Sequence, residues 1–188
     1  MNKAKEPVKK RERELLSKVV VNAGIGRVSG QQASFEDKIL PQFNRDLAMI
    51  AGQKAQLRKS RISIAGFKMR QGQVVGLRVT LRRRKMVDFF ERLIKMVLPR
   101  VRDFGGINLQ AIDENGSLNL GFREQYVFPE INPEESTFVF SLGVNIVPRT
   151  KNRAAAIAAY RELGVPLRTE QDSVKKQSPR RPAKKAKK

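Results

Sequence analysis

Hydrophobic and polar residues alternate along several short segments of the chain, a pattern typical of β-strands with one buried face. The clearest example is "QVVGLRVTLRR" (73–83), whose apolar positions are Val75, Leu77, Val79 and Leu81. The alternate positions are polar or cationic: Arg78, Thr80 and Arg82. One face of this strand is therefore predicted to lie in the core, and the other to carry positive charge.

Three further segments complete the predicted sheet. "SKVVVNAG" (17–24) is rich in β-branched residues and runs into a glycine turn. "INLQAIDENGSLNLGF" (107–122) predicts a hairpin, because Asn115-Gly116 is a strong turn signal between alternating runs. "STFVFSLGVNIV" (136–147) predicts another half-buried strand, with its apolar face formed by Phe138, Phe140, Leu142, Val144 and Ile146.

Other segments follow the helical period. "SFEDKILPQFNRDLAMIAG" (34–52) has Ser34 and Asp37 placed as a capping pair, and Pro41 requires either a kink or a regular helix that begins near Leu40. "MVDFFERLIKMVLPR" (86–100) has a broad apolar stripe and predicts a buried helix that ends near Pro99. "NRAAAIAAYRELG" (152–164) predicts an alanine-rich helix closed by Gly164.

Half-buried strands and one-sided helices together predict an α+β fold, a two-layer sandwich with helices on one face of a mainly antiparallel sheet and the other face open. The 188 residues suit one domain. We expect a charged segment over 1–16, a single domain over 17–173 and a disordered basic tail over 174–188. The tail "VKKQSPRRPAKKAKK" carries eight positive charges and no acid, which favours nucleic acid as its target.

The charge of the chain indicates a protein that binds an anionic partner. The formal net charge is +21 and the pI is about 11.0, so a compact fold needs a polyanion or dense salt around it. Between Asp46 and Asp88 the sequence contains no acid, while eleven lysines and arginines lie from Lys54 to Lys85. No apolar run approaches the roughly 20 residues of a membrane-spanning helix, and no signal peptide begins the chain, so we expect a soluble cytosolic protein.

The same composition removes most catalytic chemistry. The chain has no cysteine and no histidine, which excludes disulfides, thiolate metal sites and the commonest general base. The acidic pairs Asp113-Glu114 and Glu134-Glu135 adjoin turn residues and are expected to be solvated. We therefore predict no catalytic residues, no metal and no cofactor. "GIGRVSG" (24–30) lacks the glycine spacing of a dinucleotide fingerprint and predicts a tight turn after a strand.

Two surfaces remain as candidates for RNA binding. If Val19 and Val21 point into the core, Lys18 and Asn22 lie on the exposed face of the same strand. Arg78, Thr80 and Arg82 lie on the exposed face of the strand over 73–83 in the same way. Such amides, hydroxyls and guanidiniums suit the shallow minor groove of A-form RNA, although a solvated sheet face shows the same alternation. "GQKAQLRKSRISIAGFKMRQG" (52–72) has six cations and no acid, and predicts a flexible basic loop with an apolar tip.

The sequence resembles one family over about residues 18–168: the fifth protein of the large ribosomal subunit, which binds 5S rRNA. The motifs that carry the resemblance are "VVVNAGIG", "GQKAQLRKSRISIAGFKMRQG", "GLRVTLRRRKMVDFFERLIKMVLPRVRDFGGI", "GFREQYVFPEI" and "ELGVPLR", in the same order. The chain departs from typical bacterial members in its short segment before Ser17, in "GQKA" where "GQKP" is commoner, and in its basic C-terminal tail.

The resemblance implies a structural protein in the central protuberance of a cytoplasmic ribosome. Together with the cationic sheet face, it implies a 5S rRNA site composed of Lys18, Asn22, Gln53, Lys54, Arg78, Thr80 and Arg82. It also implies a loop that contacts P-site tRNA through Ala65, Gly66, Phe67, Lys68, Met69 and Arg70. Further implied partners are 23S rRNA, neighbouring large-subunit proteins and a small-subunit head protein across the intersubunit bridge.

Two other functions stay open at this point. A generic basic nucleic-acid-binding protein, such as a nucleoid protein, would have a similar charge and would prefer duplex DNA to folded 5S rRNA. An enzyme acting on a phosphorylated substrate through lysines and carboxylates is the poorest fit. It would require a carboxylate with a strongly raised pKa in a closed pocket.

Overall fold

The computed structural model describes residues 6–26, 35 and 39–168. Its helices are α1 (Glu6–Leu15), α2 (Leu40–Ala51), α3 (Arg83–Arg92) and α4 (Arg153–Glu162). Its strands are β1 (Leu16–Gly24), β2 (Gln56–Lys59), β3 (Val74–Leu81), β4 (Leu118–Phe122) and β5 (Leu142–Pro148). No helix within these ranges is long and apolar enough to cross a membrane.

The strands form one antiparallel sheet in the order β2-β3-β1-β5-β4. β1 lies in the centre and pairs with β3 on one side and β5 on the other, so segments far apart in sequence become neighbours. A single core cluster joins the inward residues of the sheet to buried residues of α2, α3 and α4. Helices therefore cover one face of the sheet, and the predicted α+β architecture is confirmed.

Several local predictions agree with the structure. α2 begins at Leu40 with Pro41 in its first turn, where the missing amide hydrogen has no intrahelical acceptor. The apolar stripe after Arg83 continues as one turn of π-helix (Leu93–Val97) and a 3₁₀ turn (Leu98–Arg100), and so ends around Pro99. Ser34 and Asp37, predicted to cap the helix before Pro41, lie outside the described residues.

The predicted hairpin over 107–122 is only half correct. Its turn exists, because the amide of Gly116 donates to Asp113 and the amide of Ser117 donates to the Asp113 carboxylate. Its first arm contains a 3₁₀ turn (Leu109–Ala111) and a single bridge from Ile112 to Leu118 instead of a strand. β4 pairs along its whole length with β5, which leaves only its other edge for the first arm.

The segment predicted as strand before Leu142 is irregular, because its backbone forms hydrogen bonds with a side chain instead of with a neighbouring strand. Gln125 is fully buried, and its amide donates to the carbonyl of Phe138 (2.9 Å) and accepts from the amide of Phe140 (2.9 Å). Ser136 is also buried, and its hydroxyl donates to Asp46 of α2 (2.5 Å). This polar cluster fixes residues 125–140 to the helical layer, so this segment does not cover the opposite face of the sheet.

Tyr160 joins α4 to the sheet. Its side chain is fully buried, and its hydroxyl lies 2.9 Å from the carbonyl oxygen of Gly116 and 3.0 Å from that of Ile146. Burial raises the pKa of the Tyr160 hydroxyl well above its ordinary value. Gly164, at a φ of 76°, then closes the helix as predicted.

This raised pKa predicts an alkaline loss of stability. Above about pH 10 the unfolded tyrosine loses its proton while the folded one keeps it, so the unfolded state binds fewer protons and stability falls as pH rises. A Tyr160→Phe variant should be roughly 1–2 kcal/mol less stable than wild type at neutral pH, because buried carbonyls lose a donor. Urea unfolding from pH 7 to 11 should show this difference shrinking above pH 10, whereas a constant difference would contradict the prediction.

Candidate nucleic-acid interface

The uncovered side of the sheet, here called the open face, carries two rows of residues that cross the strands. The register places Gln56, Arg78, Asn22, Gly143 and Gly121 in one row. The second row contains Thr80, Val20, Asn145 and Asn119. Lys18 and Arg58 occupy alternate positions of β1 and β2, and Arg82 follows β3 in an extended conformation, so the open face combines amides, one hydroxyl and four cations.

Glycines keep part of this surface free of side chains. A Cβ atom at Gly24 or Gly121 would have no heavy atom within 4 Å, so packing inside the protein does not require glycine there. Neither residue has a positive φ. The missing side chains instead let another molecule approach the backbone closely.

Asn22 is at the centre of the open face and is exposed. A Cβ atom at Gly143 would lie 2.8 Å from Oδ1 of Asn22, so the amide of Asn22 lies directly over that glycine. On the neighbouring strand, Nε of Arg78 is buried and has no hydrogen-bond partner among the described residues. Asn145 and Asn119 form a side-chain pair, with Asn145 donating to Asn119. The face thus offers donors and acceptors in fixed positions.

The part of the chain that the structure describes does not neutralise the charge of the open face. None of Lys18, Arg58, Arg78 and Arg82 forms an ion pair with another described residue. The ion pairs that are present involve other cations, for example Arg92 with Glu130, Lys95 with Glu91, and Arg11 with Glu162. No acidic residue occupies any open-face position in β1, β2, β3, β4 or β5. An external anion is therefore the natural partner of this surface.

The structure brings together five of the seven residues predicted for 5S rRNA: Lys18, Asn22, Arg78, Thr80 and Arg82. It places the other two, Gln53 and Lys54, outside the sheet, in the exposed connection from α2 to β2. Gly52 ends α2 with a φ of 65° and turns the chain toward Gln56. Gln53 and Lys54 consequently lie near one edge of the open face rather than on it.

Sequence reasoning missed several open-face residues. Asn119 and Asn145 occupy the alternate positions of "LNLGF" and "LGVNIV", and Gln56 and Arg58 those of "QLRK". The alternation could have identified them individually. Their alignment with Thr80 and Arg78 depends on the strand order, which the pattern does not contain.

The basic loop predicted over 52–72 is more ordered than expected. It includes the edge strand β2, and residues 60–73 form a short hairpin, here called the tip hairpin. Its hydrogen bonds include Ser60 amide to Gln73 carbonyl (2.8 Å) and Ile64 amide to Met69 carbonyl (3.0 Å). The predicted apolar tip is confirmed, because Phe67 is 76% exposed beside the exposed Lys68 and Arg70. Ala65, Gly66 and Met69 complete the tip.

The acidic pairs considered for catalysis lie in exposed positions. Asp113, Glu114, Glu134 and Glu135 are all exposed, as predicted. No group of three or more acids that could hold a metal ion occurs in the described ranges. The glycine turn after β1 is described only as far as Gly26, and the rest of "GIGRVSG" lies outside these ranges.

Comparison with known proteins gives a consistent result. A family model described as "Ribosomal protein L5" matches residues 15–70, and the model for the C-terminal part of the same ribosomal family matches residues 74–167. The large ribosomal subunit protein uL5 of Geobacter sulfurreducens is 44% identical over 153 residues, which are 81% of this chain and 83% of that protein. The uL5c protein of Tetradesmus obliquus is 44% identical over 154 residues, covering 82% and 83%, respectively. The uL5 protein of Chlorobium luteolum is 39% identical over 153 residues, covering 81% and 76%.

Proposed function

Because the chain belongs to the ribosomal protein L5 family, as its sequence predicted, we propose that it binds 5S rRNA through the open face of its sheet. Members of this family are structural components of the large ribosomal subunit, not enzymes, so the chain functions in a complex with rRNA and ribosomal proteins. The proposed binding to 5S rRNA would contribute to the central protuberance of that subunit.

The observation that carries this proposal is the acid-free polar surface across all five strands. The minor groove of A-form RNA is wide and shallow, and it presents 2′-hydroxyls and phosphates that a flat surface can reach. Asn22 and Thr80 supply neutral hydrogen-bonding groups at the centre, while Lys18, Arg78 and Arg82 supply charge. The open glycines at positions 24 and 121 allow the RNA backbone to approach closely. This arrangement favours recognition of a folded RNA by its shape and backbone.

The tip hairpin supports a second contact, with P-site tRNA. It extends from the sheet edge at β2 and β3, and it presents the exposed aromatic ring of Phe67 beside the exposed residues Lys68 and Arg70. A cationic side chain can neutralise phosphate, and Phe67 can stack on an exposed base or ribose. The same assembly would place 23S rRNA, neighbouring large-subunit proteins and a small-subunit head protein against other surfaces of the chain.

A competition assay separates this function from generic nucleic-acid binding. Full-length protein bound to labelled 5S rRNA should be displaced by unlabelled 5S rRNA at concentrations well below those of duplex DNA with equal phosphate content. The expected preference arises because the open face fits an A-form surface, whereas nonspecific attraction depends mainly on phosphate density. Equal displacement by both competitors at matched ionic strength would favour a nonspecific basic protein.

A further inference from the structure

A second cationic surface lies at the end of the sheet where α1, β1 and α3 meet. It is a pocket whose lining includes five arginines, here called the arginine pocket: Arg13, Arg82, Arg83, Arg84 and Arg149. Leu16, Ser17 and Met86 form the rest of its wall. Arg13 comes from the last turn of α1, Arg149 follows β5, and the other three arginines join β3 to α3. Three separate parts of the chain thus contribute arginines to the wall of one pocket.

The protein neutralises little of this charge. Among the described residues, no acid lines the arginine pocket. Arg84 pairs with Asp88 at 3.7 Å, but the Arg84 side chain is 85% exposed, where such a pair contributes little. Nε of Arg149 donates to the carbonyl of Leu16 at 3.3 Å. Arg13, Arg82 and Arg83 form no ion pair with any other described residue. Cationic side chains around one pocket repel one another, and an anion among them would relieve that repulsion.

The start of α3 adds to the positive potential. Three cations, Arg83, Arg84 and Lys85, occupy its first turn, where the helix dipole is also positive. Neither an acid in that turn nor a side-chain hydrogen bond from the N-cap residue Arg82 offsets this. Arg83 in addition has a φ of 54°, a backbone conformation that is unfavourable for arginine. Local sequence preference would place acids here, and the chain has arginines instead.

The arginine pocket is continuous with the open face. Val19 pairs with Leu81, so the adjacent open-face residues Lys18 and Arg82 lie side by side at the end of the sheet. Arg82 therefore belongs to both surfaces. A neighbouring cleft shares Ser17 and Arg149 with the pocket and adds Lys18, Thr150 and Lys151. A phosphate chain on the open face could pass Arg82 and enter the pocket without leaving positive surface.

We propose that the arginine pocket binds phosphates of the RNA backbone where the bound strand runs off the open face beyond Arg82. This inference rests on the proposed binding of 5S rRNA and extends its footprint around the end of the sheet. Arginine is the suitable side chain, because its planar guanidinium can donate two parallel hydrogen bonds to phosphate oxygens. The open face then provides the recognition of RNA shape, and the pocket adds an electrostatic anchor.

The test uses the full-length chain with Arg13→Gln and Arg83→Gln together. Both side chains are exposed, and neither pairs with another described residue, so their removal breaks no known contact in the fold. The control is Arg100→Gln with Arg102→Gln, which removes the same charge from two exposed positions after α3. Binding of 5S rRNA weakens with salt, and each phosphate contact contributes roughly 0.7–0.9 to the steepness of log K (K being the association constant) against log salt concentration. We therefore expect this slope to be shallower by about 1 to 2 for the pocket variant than for wild type. The control should leave the slope unchanged.

Calorimetric titration with inorganic tripolyphosphate provides an RNA-free arm. The wild-type chain should bind this anion at least about tenfold more tightly than the pocket variant, and the control variant should behave as wild type. Equal slopes for the pocket and control variants would overturn the inference, as would loss of tripolyphosphate binding without any change in the RNA slope. If wild-type protein fails to bind 5S rRNA at all, the proposed function is wrong. In that case, tripolyphosphate binding that is lost in the pocket variant would still support a phosphate-binding pocket. Tripolyphosphate binding that is the same in wild type and in the pocket variant would reject such a pocket.

Discussion

A chain that carries Asn22→Ala and Thr80→Val together is expected to bind 5S rRNA about 100-fold more weakly than wild type. Each substitution removes a hydrogen-bonding group from the centre of the open face, and each lost bond costs roughly 1–1.5 kcal/mol. The phosphate contacts of Lys18, Arg78 and Arg82 stay in place. Affinity should therefore fall while the salt dependence of binding changes little, because the number of neutralised phosphates is unchanged.

The fold should tolerate this pair of changes. Asn22 is exposed, and Val replaces Thr80 with nearly the same shape and a strong preference for strands. The thermal midpoint should therefore stay close to that of wild type. A suitable control combines Gln110→Ala with Thr137→Val, two exposed polar positions away from the open face. Filter-binding titrations should show wild-type affinity for the control. A loss below fivefold for the Asn22 and Thr80 pair would argue that the centre of the sheet does not contact RNA.

Changes at the tip hairpin should leave 5S rRNA binding intact and instead weaken the contact with P-site tRNA. With Lys68→Asn and Arg70→Gln together, binding of the isolated chain to 5S rRNA should stay within about twofold, and the variant should enter the large subunit normally. Ribosomes that contain it should release P-site tRNA several-fold faster, because two cations next to Phe67 are lost. Asn suits the left-handed backbone at Lys68, where φ is 52°.

The hairpin itself should survive these changes. Its hydrogen bonds at these positions use the backbone: the amide of Lys68 donates to Ala65, and the amide of Arg70 donates to the side chain of Gln73. Dissociation of labelled peptidyl-tRNA from purified ribosomes gives the readout. Ribosomes with Arg100→Gln and Arg102→Gln serve as the control for net charge. A tip variant that loses 5S rRNA binding, or that leaves tRNA release unchanged, would contradict the separate roles of the two surfaces.

The parts of the fold that the sequence predicted correctly are those set by local patterns. The alternation in β3 located its buried residues Leu77, Val79 and Leu81, because side-chain direction in a strand follows directly from position. It was wrong at the start of the strand, where Val74 is buried and the predicted Val75 is only half-buried. The apolar stripe of α3 and the closing glycine of α4 are equally local. The acid-free interval around β2 and β3 correctly located the cationic surface, since charge needs no knowledge of topology.

Features that depend on distant partners were not predictable in this way. The irregular path before β5 results from Gln125, a buried glutamine whose amide replaces strand hydrogen bonds, and nothing in its neighbourhood marks it as buried. The rows of the open face arise from the pairing of β1 with β3 and β5, and the arginine pocket joins residues from three distant segments. Individual residues could be assigned to surfaces, but which of them meet was decided by strand order.

The most direct test of the central claim, that the acid-free open face exists to bind ribosomal RNA, is the salt dependence of 5S rRNA binding by the full-length wild-type chain. Four open-face cations alone predict a slope of log K against log salt of about −3 or steeper. Tight binding at low salt with such a slope is the expected result. No binding to 5S rRNA at low ionic strength, or binding that is insensitive to salt, would contradict the claim.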